Sequence, residues 1–222
     1  MKVKLIRYTP EPERVCGMAA ALTHSKTTPE KLEEMDDEQL KEILSYVIKL
    51  GHTSVIEHAN FTFAITGVSR ALTHQLVRHR IASYCQQSQR YVSLDKPTYV
   101  TPPSIGKNEK MKKAYDETME KIWDEYNKLL DLDVPAEDAR YVLPNATTSN
   151  VIVTMNARAL LNFFELRCCL HAQWEIRRLA NKMLSEVKKV APTIFKNAGP
   201  PCKTKGICPE EKKDCPFYPK KK

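Results

Sequence analysis

A change of hydrophobic period between residues 60 and 77 constrains this chain more than any other feature. Phe61, Phe63 and Ile65 alternate with Thr62, Ala64 and Thr66, the two-residue repeat of a strand over residues 60–68. Val68, Leu72 and Leu76 then fall four apart, which predicts a helix over residues 69–77 and places Gln75, Arg78 and His79 together on a neighbouring face. The helix delivers the run Arg78-His79-Arg80-Ile81-Ala82-Ser83-Tyr84-Cys85-Gln86-Gln87-Ser88-Gln89-Arg90. Basic residues that merely close a helix gain ~0.3–1 kcal/mol each from its exposed carbonyls. That explanation leaves Ser83, Gln86, Gln87, Ser88 and Arg90 without a purpose. Guanidinium forks suit phosphate oxygens, and Ser and Gln add neutral donors, so the stretch reads as an anion site with room for more than one phosphate.

The flanking chain reads as scaffold with three further polar constellations. A strand over residues 3–8 and helices over 12–22, 29–35 and 37–50 come first, the last with Leu40, Ile43, Leu44, Val47 and Ile48 on one side. His52, Glu57 and His58 follow a helix-ending Gly51. Their spacing flanks a loop and lacks the i, i+4 geometry of a helical zinc pair, so no metal ligands are assigned, and His58 reads as a hydrogen-bonded structural group. Beyond the basic run, residues 90–92 and 98–101 read as strand pieces broken by Pro97, and 110–132 as a helix with Met111, Tyr115, Met119, Ile122, Tyr126, Leu129 and Leu130 as its stripe. A short helix over 134–144 holds Arg140, which either balances the acids of its own first turn or faces a ligand. A strand over 151–154 precedes a helix from 156 to about 190 that is apolar on nearly every face and therefore expected to be buried. Arg158 with Asn162, and Arg167 with His171, interrupt it at i, i+4; either Glu165 partners an arginine or these residues line a ligand cleft.

Arg78-His79-Arg80, seven residues, then Ser88 resembles the signature of the flavin-dependent thymidylate synthases, which methylate deoxyuridine monophosphate (dUMP) without the cysteine nucleophile of the better-known thymidylate synthase. Gly51-His52…Glu57-His58, Val134-Pro135…Ala139-Arg140…Leu143-Pro144 and Asn156-Ala157-Arg158…Asn162…Arg167…His171 resemble further segments of that family in the same order. The resemblance implies an α/β fold, an antiparallel β-sheet flanked by α-helices in a single domain over residues 1–198, assembled as a homotetramer with active sites at subunit junctions. It implies FAD as cofactor, held by Ser54, Arg78, His79, Arg80, Gln86, Asn156, Arg158, Asn162 and His171. It implies dUMP held by Gln75, Arg78, Gln86, Gln87, Ser88, Gln89, Arg90, Arg140 and Arg167, with Arg167, His52 and Ser88 at the reacting centre. NADPH and 5,10-methylenetetrahydrofolate are the implied co-substrates. Cys85 and Gln87 stand where a small polar and an apolar residue are expected, and Gln86 and Gln89 replace the acid and glycine of some members. Cys85, between Arg80 and Arg90, also has the setting of an activated thiolate, although the family resembled works without one.

Net charge of +8 raises nucleic acid as a partner, but seven lysines against three acids after residue 202 place +4 of it in the last twenty residues. The interleaved aromatic and basic residues of a single-strand platform are missing. A nucleotide-binding flavoprotein of other activity is the remaining alternative. Seven cysteines in no paired pattern predict reduced thiols, and the lack of a signal-like or membrane-spanning run predicts a cytoplasmic protein. In the Cys/Lys/Pro-rich tail, residues 199–222, Cys202, Cys208 and Cys215 lack paired C-x-x-C spacing. The tail reads as an extended strap or mobile end, with a three-thiolate zinc site as the other reading.

Overall fold

The computed structural model describes residues 1–92 and 96–219. The elements in order are β1 (Lys2–Tyr8), α1 (Pro12–Leu22), α2 (Pro29–Leu32), α3 (Asp37–Lys49), a 3₁₀ segment (Thr53–His58), β2 (Asn60–Ser69), α4 (Arg70–Leu76) and β3 (Ser83–Gln86). There follow α5 (Pro103–Gly106), α6 (Glu109–Asp131), α7 (Ala136–Ala139), a 3₁₀ turn (Arg140–Val142), β4 (Thr148–Asn156), α8 (Ala157–Arg167), α9 (Trp174–Val190) and α10 (Pro201–Thr204). The strands form one antiparallel sheet in the order β1-β2-β4-β3. One face of the central pair is covered: Phe61, Phe63 and Ile65 on β2, and Val151, Val153 and Met155 on β4, are buried.

The chain divides into two compact units. The first holds Met1–Lys2, Ile65–Arg78 and Tyr84–Ile152. Here Ser69 caps α4, its hydroxyl accepting from Leu72 N–H at 3.0 Å, and Leu72 and Leu76 are fully buried. Trp123 and Tyr126 bury the middle of α6, with the Tyr99 ring set against Tyr115 and Trp123. The second unit holds Val3–Ala64, His79–Ser83 and Val153–Lys222. Its core joins Phe61, Phe164 and Phe195, whose rings meet edge to face at 5.4 and 5.9 Å, to Ile176, Leu179, Met183 and Val187 of α9.

Several expectations need correction. α4 ends at Leu76, so Gln75, Arg78 and His79 do not share a helical face. Residues 83–86 form a strand inside the basic run, whereas 90–92 do not. The stripe of α6 includes Trp123 and leaves Met111 57% exposed. The long helix breaks after Arg167 and resumes at Trp174, which takes His171 off any helix. α8 is not buried all round: Arg158, Asn162 and Leu166, four apart, form an exposed stripe. The tail is not extended, as it carries α10 and several turns; its three closing lysines lie outside the described residues.

Candidate functional site

In the first unit, β3 and the loop after it carry the expected nucleotide residues, and hydrogen bonds to β4 and α4 hold them in place. Gln86 Nε2 donates to Ser149 Oγ at 3.0 Å and to Thr73 Oγ1 at 3.3 Å. Gln87 is paired to Asn150 through both backbone and side chain, at 2.9 and 2.8 Å. The Ser88 hydroxyl accepts from the Arg90 backbone N–H at 3.1 Å, folding the loop back on itself. Gln75 turns its amide onto its own helix, donating to Ala71 O at 3.4 Å.

Glu137 brings two of the expected arginines together. Arg90 Nε donates to its carboxylate at 2.8 Å, and Arg140 Nε donates to its backbone carbonyl at 2.9 Å. Arg140 therefore does not balance the acids of its own turn; Arg90 takes that carboxylate instead. The Arg90–Glu137 pair is about half exposed on both sides, and such pairs contribute ~0–1 kcal/mol, so a phosphate can displace the carboxylate at small cost. Arg70, which no sequence pattern singled out, joins this group. Its pKa is lowered first by burial and then by the positive charge of Arg140, a repulsion that an anion between them would relieve. Among the described residues Gln89 Nε2 is buried without a hydrogen-bond partner, a donor waiting for an acceptor.

In the second unit the guanidinium of Arg167, the last residue of α8, meets His79. Arg167 Nε donates to His79 Nε2 at 3.0 Å, and the imidazole stands edge-on to Phe163 at 4.9 Å. Burial, and then the Arg167 charge, push the His79 pKa down to about 4. The ring is therefore neutral near pH 7 with its proton on Nδ1, and the positive charge of the pair belongs to Arg167 alone. Arg158 pairs with Glu57 Oε1 at 2.5 Å, while Glu165, the partner considered from sequence, accepts instead from Lys205 at 2.9 Å. Asn156 caps α8, its Oδ1 accepting from Ala159 N–H at 2.8 Å, which leaves its amide nitrogen free to donate to a ligand. His52 immediately precedes the 3₁₀ segment that carries Ser54, without a side-chain cap, and lines a cleft of about 540 Å³ with His24, Met35, Ile43, Tyr46 and Leu50. Arg80 and His171 are exposed.

Residues 4–193 match the family described as thymidylate synthase complementing protein. The chain is 51% identical over 218 residues to the flavin-dependent thymidylate synthase of Geobacter sulfurreducens, covering 97% of this chain and 94% of that one. It is 49% identical over 232 residues to the Clostridium tetani protein of the same name, covering 97% and 93%. With the Sulfolobus acidocaldarius protein of that name the identity is 47% over 205 residues, covering 91% and 78%.

The chain belongs to the thymidylate synthase complementing protein family.

For a member of this family, the residues present fit a flavin nucleotide. The α8 stripe offers a guanidinium and an amide to solvent beside an apolar Leu166, which is 51% exposed, and Ser54 is exposed as well. Sequence reasoning missed the residues that hold these groups rather than the groups themselves. Glu57 stands in the sequence only as an acid between two histidines, and its partner Arg158 lies 101 positions away. Thr73, Ser149 and Asn150 carry no pattern of their own. Arg70 offered one signal, a cation beside the apolar stripe of Leu72 and Leu76 at the start of a helix, where the macrodipole disfavours it.

Proposed function

We propose that this protein makes thymidylate by reductive methylation of dUMP, with 5,10-methylenetetrahydrofolate giving the carbon, NADPH the reducing equivalents, and FAD bound as cofactor. Near full-length identity to flavin-dependent thymidylate synthases, spanning the Arg78-His79-Arg80…Ser88 signature, carries this reading. The flavin supplies hydride transfer when bound; the protein supplies binding, orientation and charge.

Arg90, Ser88 and Arg140, with Gln75 and Arg78, take the substrate phosphate, and the arginines gathered at Glu137 support that role. Gln86, Gln87 and Gln89 present the rest of the nucleotide, Gln89 through its unpartnered buried amide. Arg167 faces the uracil. With His79 neutral, its full charge is available to stabilise the anion left when the N3 proton is lost, which enriches carbon 5 in electron density. Single fixed donors of this kind are worth ~2.7–4 kcal/mol. Ser54, Arg78, His79, Arg80, Gln86, Asn156, Arg158, Asn162 and His171 hold the flavin, and His52 stands at the reacting centre. A homotetramer with active sites at subunit junctions accounts for the exposed Leu166 beside polar ligand residues on α8. Seven free cysteines suit a reducing compartment such as the cytoplasm.

The test is formation of thymidylate from dUMP, methylenetetrahydrofolate and NADPH by purified, flavin-loaded protein. A flavin-loaded oligomer that binds dUMP but yields no thymidylate would leave only another nucleotide-dependent flavin chemistry.

A further inference from the structure

Two adjacent glutamines of the first unit are held by opposite ends of their amides. Which end is left for a ligand follows from the backbone, because each glutamine closes a relay that starts at a peptide group. A peptide N–H only donates and a peptide carbonyl only accepts, so the sense of each relay is fixed at its origin.

The first relay starts at Gly67 of β2, whose N–H donates to Asn150 Oδ1 on β4 at 3.2 Å. Asn150 therefore turns its nitrogen to its neighbour, and Nδ2 donates to Gln87 Oε1 at 2.8 Å. The backbone N–H of Gln87 donates to Asn150 O at 2.9 Å and ties the two residues a second time. Gln87 is exposed, and with its oxygen taken it keeps Nε2, a donor, for a ligand. The second relay starts at Arg70 of α4, whose carbonyl accepts the one hydroxyl proton of Thr73 at 3.0 Å. Thr73 Oγ1 is thus an acceptor towards Gln86 Nε2 at 3.3 Å, and the other proton of that nitrogen goes to Ser149 Oγ at 3.0 Å. Gln86 has spent both donors and keeps Oε1, an acceptor.

We propose that Asn150 is a positioning residue for substrate binding: by holding Gln87 Oε1 it commits Gln87 to donate to an acceptor oxygen of dUMP. The proposal rests on the dUMP reading given above. Phosphate oxygens and uracil carbonyls are all acceptors, so Gln87 suits either, whereas Gln86, committed the other way, suits neither and is left for a ligand hydroxyl or N–H. A glutamine that is already held loses less side-chain freedom on binding than one that must be ordered by its ligand. The same hold opposes any ligand that brings a donor to this position, which makes Gln87 a specificity residue as well as a contact.

The test measures dUMP binding by the full flavin-loaded chain, with thymidylate formation alongside. Asn150→Asp keeps the acceptor for Gly67 N–H but removes the donor, so Gln87 turns its nitrogen to the carboxylate and its oxygen to the ligand. The Kd and KM for dUMP should rise at least about tenfold, with kcat and flavin content within about twofold of wild type; Asn150→Ala, which only frees Gln87, should raise Kd about threefold or less. Repulsion between the new carboxylate and the phosphate would persist without Gln87. The relay predicts that in a Gln87→Ala background Asn150→Asp costs about threefold or less. Because Asn150 variants can fail to fold, Gln87→Met, which leaves β4 untouched and removes the amide, is measured too and should raise Kd about fivefold or more. Repeating the series with deoxyuridine locates the oxygen: a loss that survives assigns it to the uracil, and one confined to dUMP assigns it to the phosphate. Asn150→Ala as damaging as Asn150→Asp, an Asn150→Asp effect undiminished without Gln87, or wild-type affinity in Gln87→Met would overturn the proposal and leave dUMP as substrate. A wild-type chain that does not bind dUMP would overturn the proposed function itself, and this proposal with it.

Discussion

His79 and Arg167 act as a pair in which one partner is kept neutral so that the other remains a whole charge. Unfolded, His79 titrates near 6.5; folded, near 4. Between those values the unfolded chain binds a proton that the folded chain refuses, so stability falls as pH drops from 6.5 to about 4, by roughly 3 kcal/mol in all, and is unaffected by this group above 6.5. Urea denaturation at pH 7 and pH 4.5 should show this loss in wild type and a smaller one in His79→Gln, which keeps an acceptor for Arg167 but cannot ionise. Equal losses would mean that other groups dominate. Arg167→Lys should retain flavin and lose at least about a hundredfold in turnover, because an ammonium offers no planar fork to the uracil. Near wild-type turnover would remove Arg167 from the reacting centre. The cationic residues of this pair were legible in the sequence, but their meeting across 88 positions was not.

The most consequential element contact unseen in the sequence is a carboxylate used as a cap for another segment. Glu13 of α1 is 9% exposed and accepts from the backbone N–H and hydroxyl of Thr193 and from Ile194 N–H, the last two at 2.8 and 3.1 Å. It satisfies donors in the turn after α9. Glu13→Ala should cost ~3 kcal/mol by leaving them unpaired, lowering the melting temperature by ~6–12 °C, while Glu13→Gln, with one acceptor oxygen kept, should lose less. A shift under about 2 °C for Glu13→Ala would mean that water replaces the carboxylate freely. The same helix shows why Gly17 has no side chain: a Cβ there would stand 2.8 Å from Leu40 O and 2.9 Å from Leu40 Cβ of α3. In the sequence α1 is legible only as an alanine-rich helix opened by proline, since neither contact leaves a periodic trace.

For the whole molecule, the proposed homotetramer predicts a light-scattering mass near four chains at micromolar concentration. A monomer that nevertheless turned over would remove the subunit junction from the active site. Local signals along the sequence determined the strands at residues 3–8 and 60–68, the helices α1, α3 and α6, and the composition of the basic run, because periodicity, caps and cation clustering are written in neighbouring residues. The tertiary structure alone decided the sheet order β1-β2-β4-β3, the break that ends α8 at Arg167, and the strand hidden in residues 83–86. β3 is short, and its alternation of exposed and half-buried residues has no apolar contrast to reveal it; pairing with β4 makes it a strand. The same holds for the partners: Glu57 for Arg158, Glu137 for Arg90 and Lys205 for Glu165. An ion pair depends on distance in space, and positions tens of residues apart acquire that distance only when the chain has folded.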